Sequence, residues 1–290
     1  MGTPMEKTDT VQNAQVKTLR RSVISPSRGW LSLNLKEVWE YRELLGILAW
    51  RDITVRYKQS IVGIGWAIIQ PLMTMIIFTI IFGKFAKLPS DGLPYPIFAY
   101  CALLPWTYFA RSLGDSSDSL VGSSHLITKV YFPRLILPIS KVFSGLIDFA
   151  IAFAILVGMM AWYRIAPTKG VLALPLFIGI AMLAALGVGT WFTALNVRYR
   201  DVKFVIPFLV QIWMYASPVA YSTSLIPEKW QWIYGLNPMV GVIEGFRWAM
   251  LGKAAPSITL LLIPSLIIFA ILISGLYYFK KMEKTFADII

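Results

Sequence analysis

An all-α integral membrane protein is the fold class that this sequence predicts, and two observations lead to it. Hydrophobic residues make up 57% of the 290 positions and charged residues only 14%, whereas soluble domains carry about 25% charged residues. The apolar residues are also gathered into long runs, and about 20 of them in a row suffice for a helix to cross a bilayer. The runs predict an N-terminal interfacial helix, six transmembrane helices, and re-entrant helices before the last span.

Changes in composition divide the chain into four parts. Residues 1–34 are polar, and they are predicted to be a disordered cytoplasmic tail. Residues 35–60 mix charges with apolar residues at helical spacing, which is typical of an amphipathic helix on a membrane surface. Residues 61–282 form the predicted transmembrane domain, and residues 283–290 form a short cytoplasmic tail.

Six apolar segments divide the transmembrane domain. They lie at about 61–82, 95–113, 135–163, 171–197, 204–221 and 258–279. Small residues recur at every fourth position of the fourth segment, and such a stripe lets another helix approach closely. They are Ala181, Ala185, Gly189 and Thr193. Residues 222–253 are too polar to span and too aromatic for an ordinary loop, so short re-entrant or interfacial helices are predicted there.

The distribution of charge predicts the orientation and excludes several function classes. Nineteen Lys and Arg residues lie on the side of the two termini and seven on the other, so both termini are predicted to be cytoplasmic. The net charge of +12 then reflects contact with anionic lipids and not with nucleic acid. A lone Cys101, a lone His125 and the lack of a phosphate-binding loop predict no cofactor, metal or catalytic site.

Several short motifs carry a family resemblance. They are Arg51-Asp52, Arg56-Tyr57, Gly63, Trp66, Gln70-Pro71, residues 125–134, 196–202 and 218–221, Asn237-Pro238, and residues 244–247. In order and spacing they resemble the ABC-2-type permeases that export lipid-linked polysaccharides such as O-antigen, capsule and teichoic acid. The resemblance covers nearly the whole chain after the N-terminal tail. It implies a homodimer in the bacterial inner membrane that works with two copies of a separate ATP-binding subunit.

The resemblance also implies a coupling surface, where the permease touches its ATPase, and an external gate. The coupling residues are Arg51, Asp52, Arg56, Lys129, Tyr131, Phe132 and Arg134. An apolar, aromatic segment outside the bilayer suits docking, although a loop that is merely anchored in the interface remains an alternative. The external gate candidates are Pro218, Tyr221, Trp230, Asn237, Glu244 and Arg247.

Aromatic rings and amides share a face on the first and fifth spans. These conduit residues are Trp66, Gln70, Thr74, Phe208, Gln211 and Tyr215. Rings stack on the C–H faces of sugars while amides exchange hydrogen bonds with hydroxyl groups, so such faces suit a wet passage for a glycan. A helix–helix contact with one buried amide explains either helix equally well.

Asp148 lies in the middle of the third span, where an ionised carboxylate is costly. It is either part of a proton relay, biased by Lys141 on nearly the same helix face, or a structural carboxylate paired with another helix. Two other functions also stay open for the whole chain: a small-molecule or drug exporter, and a membrane glycosyltransferase or ligase. The second normally needs acids or basic clusters in large external loops, and the predicted external acids are few.

Overall fold

The computed structural model describes residues 35–58, 61–252 and 255–286, and these ranges contain helices and turns but no strand. The predicted N-terminal tail and residues 287–290 of the C-terminal tail lie outside the described residues. The α-helices in chain order are α1 (Leu35–Glu40), α2 (Arg42–Lys58), α3 (Ile61–Phe78), α4 (Tyr95–Asp118), α5 (Ser124–Lys129), α6 (Ile136–Trp162), α7 (Leu174–Arg198), α8 (Val202–Tyr215), α9 (Gln231–Tyr234), α10 (Pro238–Leu251) and α11 (Ile258–Glu283).

Four helical segments of the described chain are long and apolar enough to cross a membrane. They are Gly65–Phe85, Ile136–Trp162, Lys169–Arg198 and Ile258–Glu283. The first joins α3 to a π-helical continuation at Thr79–Phe85, and Pro71 lies inside α3. All four coincide with apolar segments of the sequence, so an all-helical membrane protein is confirmed.

Helix α4 is the centre of the bundle. Most of its 24 residues are buried, and it packs against α3, α6, α7 and α10. Its last two turns carry Arg111, Asp115 and Asp118, which lower its mean hydropathy. At 1.5 Å per residue the helix is about 36 Å long, longer than the hydrocarbon core of a bilayer.

Helix α8 is shorter than the apolar segment from which it was predicted. It ends at Tyr215, after about 21 Å, whereas the sequence predicts a span as far as residue 221. Ser217 precedes Pro218, and the ring of a proline disfavours the helical conformation in the residue before it. The chain therefore turns here and runs on through short 3-10 helices to α9.

The stripe of small residues on α7 packs against α4, as its spacing predicts. Thr193 Oγ1 donates a hydrogen bond to the carbonyl of Ser116, at 2.8 Å, and a Cβ on Gly189 would lie 3.0 Å from the Cβ of Ser116. Another glycine of α7 faces α11, where a Cβ on Gly187 would lie 2.9 Å from the Cα of Leu272. Helix α7 thus lies in close contact with two neighbours because small residues occur on two of its faces.

A second, smaller apolar core lies at the end of the bundle where α2, α7 and α11 meet. Leu48 of α2, Val197 of α7 and Phe279 of α11 belong to it, together with Phe132. Phe286, beyond the end of α11, is fully buried in the same core. The segment that follows α11 and the segment that follows α5 are therefore held in one cluster, called the distal core below.

Helix α10 is buried along almost its whole length. Pro238 occupies its first turn, where the missing N–H of proline costs nothing. The side chain of Asn237 caps it by accepting a hydrogen bond from the N–H of Met239, at 3.0 Å. Gly252 follows in the left-handed conformation, with φ of 70°, which glycine adopts without strain. With 14 residues, α10 is too short to cross a bilayer.

Candidate functional site

A cleft of about 620 Å³ opens between α3, α4, α6 and α8. Its polar lining consists of Gln70, Thr74, Thr107, Arg111, Asp148 and Gln211, and its aromatic lining of Trp106, Tyr108 and Phe149. Amide, hydroxyl and charged groups therefore share one space with aromatic rings. Such a mixture suits a ligand that has both hydroxyl groups and apolar faces.

The structure divides the predicted conduit residues into two groups. Gln70, Thr74 and Gln211 line the cleft, although they come from helices far apart in sequence. The three rings lie outside the cleft lining, on exposed faces of α3 and α8. Their exposed fractions are 60% for Trp66, 62% for Phe208 and 52% for Tyr215.

Charged residues of α2, α4 and α6 form a network beside the cleft. Arg56 pairs with Asp115 at 2.7 Å and also with Asp148. The hydroxyl of Tyr57 donates to Asp148, and Arg111 lies 3.3 Å from the same carboxylate. Asp148 is thus held by residues of two neighbouring helices, and this agrees with the structural alternative given for it above.

Lys141 pairs with α2 and not with Asp148. Its Nζ lies 2.9 Å from Asp52 Oδ2, and Arg51 lies 3.1 Å from Asp52 Oδ1. Along α2 an acid, Asp52, precedes a base, Arg56, and along α6 a base, Lys141, precedes an acid, Asp148. The two helices therefore face each other with opposite charges in both pairs. The sequence contains all four residues, but spacing along each helix does not show that the two helices are neighbours.

Arg56 remains a cation within this network. Burial lowers the pKa of its guanidinium, but the carboxylates of Asp115 and Asp148 more than offset that effect, so its pKa lies above the ordinary value. Asp115 and Tyr57 belong to this network, although neither is among the site residues that the sequence predicts. Asp115 lies one turn after Arg111 on α4, and that spacing could have indicated a charged face.

Two of the gate candidates, Tyr221 and Glu244, contact a third, the fully buried Arg247. Arg247 Nη1 lies 2.9 Å from Glu244 Oε1. Its guanidinium also donates to the carbonyls of Val219, at 3.0 Å, and Tyr221, at 3.3 Å. It lies 3.7 Å from the centre of the Phe98 ring, where a cation is attracted by the π electrons. Arg247 therefore fastens the turn after α8 onto α10 and α4.

Further hydrogen bonds join the same turn to the start of α10. Asn237 accepts from Trp213 Nε1 at 2.9 Å and donates to Ser217 Oγ at 2.9 Å. The hydroxyl of Tyr234 donates to that of Tyr221, at 2.9 Å. Of the other gate candidates, Pro218 is buried and Trp230 is half exposed. These hydrogen bonds fix the turn after α8 against α9 and the start of α10.

The coupling candidates after α5 differ sharply in exposure. Tyr131 is 63% exposed, whereas the adjacent Phe132 is only 4% exposed and belongs to the distal core. Lys129 is exposed. Arg134 donates from its guanidinium to the carbonyl of Glu283, which ties the segment to the end of α11.

Tyr131 also contacts the interfacial region. Its hydroxyl donates to Glu37 Oε1 on α1, at 3.2 Å. Partial burial, and next the neighbouring carboxylate of Glu37, raise the pKa of Tyr131, so the hydroxyl stays protonated and keeps its role as donor. The other three coupling candidates, Arg51, Asp52 and Arg56, line a second cleft of about 670 Å³ beside His125. The seven candidates thus lie on one end of the bundle but do not form a single exposed patch.

The fold and the cleft define a class: a helical, multi-pass membrane protein whose interior carries polar groups. The family profile described as "ABC-2 type transporter" matches residues 43–251. The chain therefore belongs to the ABC-2 transporter membrane family, whose curated relatives are transport permeases. This agrees with the resemblance that the sequence motifs carry.

Three curated relatives illustrate the similarity. An "O-antigen export system permease protein RfbA" of Klebsiella pneumoniae is 28% identical over 264 residues, which cover 90% of this chain and 100% of the relative. A protein of the same name from Myxococcus xanthus is 27% identical over 257 residues, 88% of this chain and 98% of the relative. The "Polysialic acid transport protein KpsM" of Escherichia coli is 24% identical over 207 residues, 69% of this chain and 78% of the relative.

Proposed function

We propose that this chain is the permease subunit of an ABC transporter that exports a lipid-linked polysaccharide across the bacterial inner membrane. Two copies of the chain would work with two copies of a separate ATP-binding subunit, which supplies the energy. The names of the relatives support a glycan as cargo, because both O-antigen and polysialic acid are polysaccharides.

The cleft is the observation that carries this proposal. It brings Gln70 of α3 and Gln211 of α8 together with Trp106 and Phe149. Hydroxyl groups of a sugar need hydrogen-bonding partners when they leave water, since an unpaired polar group is costly in an apolar surrounding. The two amides can supply both donors and acceptors, and the rings offer flat apolar surfaces.

The exposed faces of α3 and α8 support a homodimer. Ile206 alone is buried among the residues of α8, and Phe208, Gln211 and Tyr215 lie on one side of that helix at helical spacing. An amide exposed to lipid would be unfavourable. A second copy facing this side would shield Gln211 and bring Phe208 and Tyr215 to the wall of a shared passage.

The topology proposed for the chain has six spans, with both termini in the cytoplasm. Helix α4 is long enough to cross, and α8 with the turn after it forms the fifth crossing. Helices α9 and α10 form the re-entrant region, which α10 supports by being buried yet too short to span. The excess of Lys and Arg on the side of the termini supports this orientation and contact with anionic lipids.

The partner ATPase is proposed to dock on the end of the bundle that carries α5. Tyr131 and Val130 are exposed there, at 63% and 57%, beside exposed Lys129. Aromatic side chains are enriched at protein interfaces, and exposed apolar patches often mark a site where a partner binds. Phe132 would support this segment by packing in the distal core, and Arg134 by its hydrogen bond to the end of α11.

Replacement of the two cleft amides tests the proposed cargo. In a strain that lacks the native gene, the double variant Gln70→Leu/Gln211→Leu is compared with the wild-type chain and with Gln231→Leu. Gln231 lies on α9, outside the cleft lining, and so provides a matched control. Two lost hydrogen-bonding groups, each worth about 1 kcal/mol, predict a loss of glycan export of roughly tenfold or more.

The measurements are surface glycan, intracellular lipid-linked glycan, and melting temperature in detergent. We expect intracellular glycan to accumulate with the double variant while its melting temperature stays near that of the wild type, and we expect Gln231→Leu to restore export. Normal glycan export in the strain without the gene would refute the proposed cargo. If that strain instead became sensitive to amphipathic drugs, the drug exporter would be the correct function.

A further inference from the structure

Arg111 has an unusual position in the bundle. Within the described part of the chain, it is the one basic residue among those that line the cleft, and Asp148 is the one acid. The side chain of Arg111 is 40% exposed, although most of α4 around it is buried. A charged residue inside a membrane domain is costly, and it commonly marks a pathway or binding site for a polar ligand.

The contacts of Arg111 leave it available for a ligand. In the described residues it makes one ion pair, at 3.3 Å from Asp148. A guanidinium has five N–H donors, so most of its hydrogen-bonding capacity is not used by that pair. Asp148, in turn, is held more closely by Arg56 and by Tyr57. It would keep two partners if Arg111 turned away.

The charges around the cleft also permit an anion. Arg56 bridges Asp115 and Asp148, and the hydroxyl of Tyr57 also donates to Asp148. An anion that draws Arg111 from Asp148 therefore leaves neither acid without a partner. Removing a partner from a buried charge is normally expensive, and here the contacts that Asp148 keeps with Arg56 and Tyr57 limit that cost.

We propose that Arg111 binds the phosphate group that joins the lipid to the glycan of the cargo. The planar fork of a guanidinium can hold two phosphate oxygens at once. Arg111 lies seven residues before the end of α4 at Asp118, about 10 Å along the helix, which suits the level of lipid headgroups. Gln70 and Gln211 lie in the same cleft to receive the first sugars. This inference rests on the proposed function for the nature of the cargo.

A binding experiment on the isolated permease tests this assignment without requiring transport. The purified full chain is placed in nanodiscs of phosphatidylcholine, a lipid without net charge. Radiolabelled farnesyl diphosphate is the main probe, with farnesol and inorganic diphosphate as separate probes and empty nanodiscs as background. The variants are Arg111→Gln, Arg111→Lys and the control Arg198→Gln, which removes an exposed cation at the end of α7, outside the cleft.

The expected result is that Arg111→Gln weakens the binding of farnesyl diphosphate by roughly tenfold or more, the loss typical for a charged hydrogen bond. Arg111→Lys should weaken it less, because the charge remains without the fork. Arg198→Gln should bind like the wild type, and the affinity for farnesol should not change in any variant. If Arg111→Gln does not fold, as judged by its melting temperature, Arg111→Lys decides the question and must still bind the diphosphate more weakly.

Equal affinity of the wild type and the Arg111 variants for farnesyl diphosphate would overturn the inference. So would binding of inorganic diphosphate as tight as that of the lipid, because the site would then serve a soluble anion. If the Arg111 variants bind like the wild type while glycan export in cells is normal, only the phosphate site is refuted. If glycan export does not depend on the gene, the proposed function itself is refuted.

Discussion

The buried pair of Arg247 and Glu244 gives a prediction whose magnitude follows from its contacts. Replacing Arg247 by Met keeps much of the volume but removes the donors to Glu244 and to the carbonyls of Val219 and Tyr221. Removing one partner of a buried pair costs about 3–5 kcal/mol, because the other charge stays buried without compensation. Each kcal/mol corresponds to about 2–4 °C in a chain of comparable size, so the melting temperature should fall on the order of 10 °C.

The assay is thermal unfolding in detergent, with two further variants. Lys229→Met removes an exposed cation outside α10 and should leave the melting temperature unchanged. The double variant Arg247→Met/Glu244→Gln removes the buried charge on both sides, so it should be more stable than Arg247→Met alone. A fall of less than about 2 °C for Arg247→Met, or a double variant no more stable than the single one, would show that the pair does not fasten the turn after α8.

Two further predictions concern packing. Phe132→Ala should lower the melting temperature, because truncating a core aromatic residue costs about 3–5 kcal/mol. Tyr131→Ala should leave the melting temperature unchanged and should reduce co-purification of the proposed ATP-binding subunit. Equal melting temperatures for the two variants would contradict the burial of Phe132. Gly187→Ala should destabilise the chain by about 1–3 kcal/mol, because its Cβ would lie 2.9 Å from the Cα of Leu272. Gly179→Ala is the control on the same helix, since its Cβ would meet nothing within 4 Å, and an equal effect of both would refute the close contact of α7 with α11.

Hydropathy predicted the helical segments well because a bilayer demands long apolar runs. The stripe of small residues on α7 was also informative, since small residues at helical spacing have few other uses inside a membrane. The early end of α8 was harder to predict, because the apolar composition continues after Tyr215 and only Pro218 indicates the turn. Composition predicts whether a helix lies in lipid or in water better than it predicts the residue at which the helix ends.

The candidate site was harder to predict than the fold, because it depends on which helix faces which. Tyr131 and Phe132 are adjacent and both aromatic, yet one is exposed and the other buried, and no local pattern distinguishes them. Lys141 was placed near Asp148 by spacing along α6, but its partner is Asp52 on α2. Gln70 and Gln211 could be selected by type, whereas their meeting in one cleft is a property of tertiary structure.

The distal core has a consequence for the order of folding. It joins Leu48 of α2 to Phe286, which follows α11, and these two residues are far apart in the sequence. Closing so long a loop costs conformational entropy before the contact itself contributes any stability. The segment that carries Tyr131 rests on this core through Phe132 and is tied to the end of α11 by Arg134. We therefore expect the surface around Tyr131 to form late in folding, after the helices between α2 and α11 have packed.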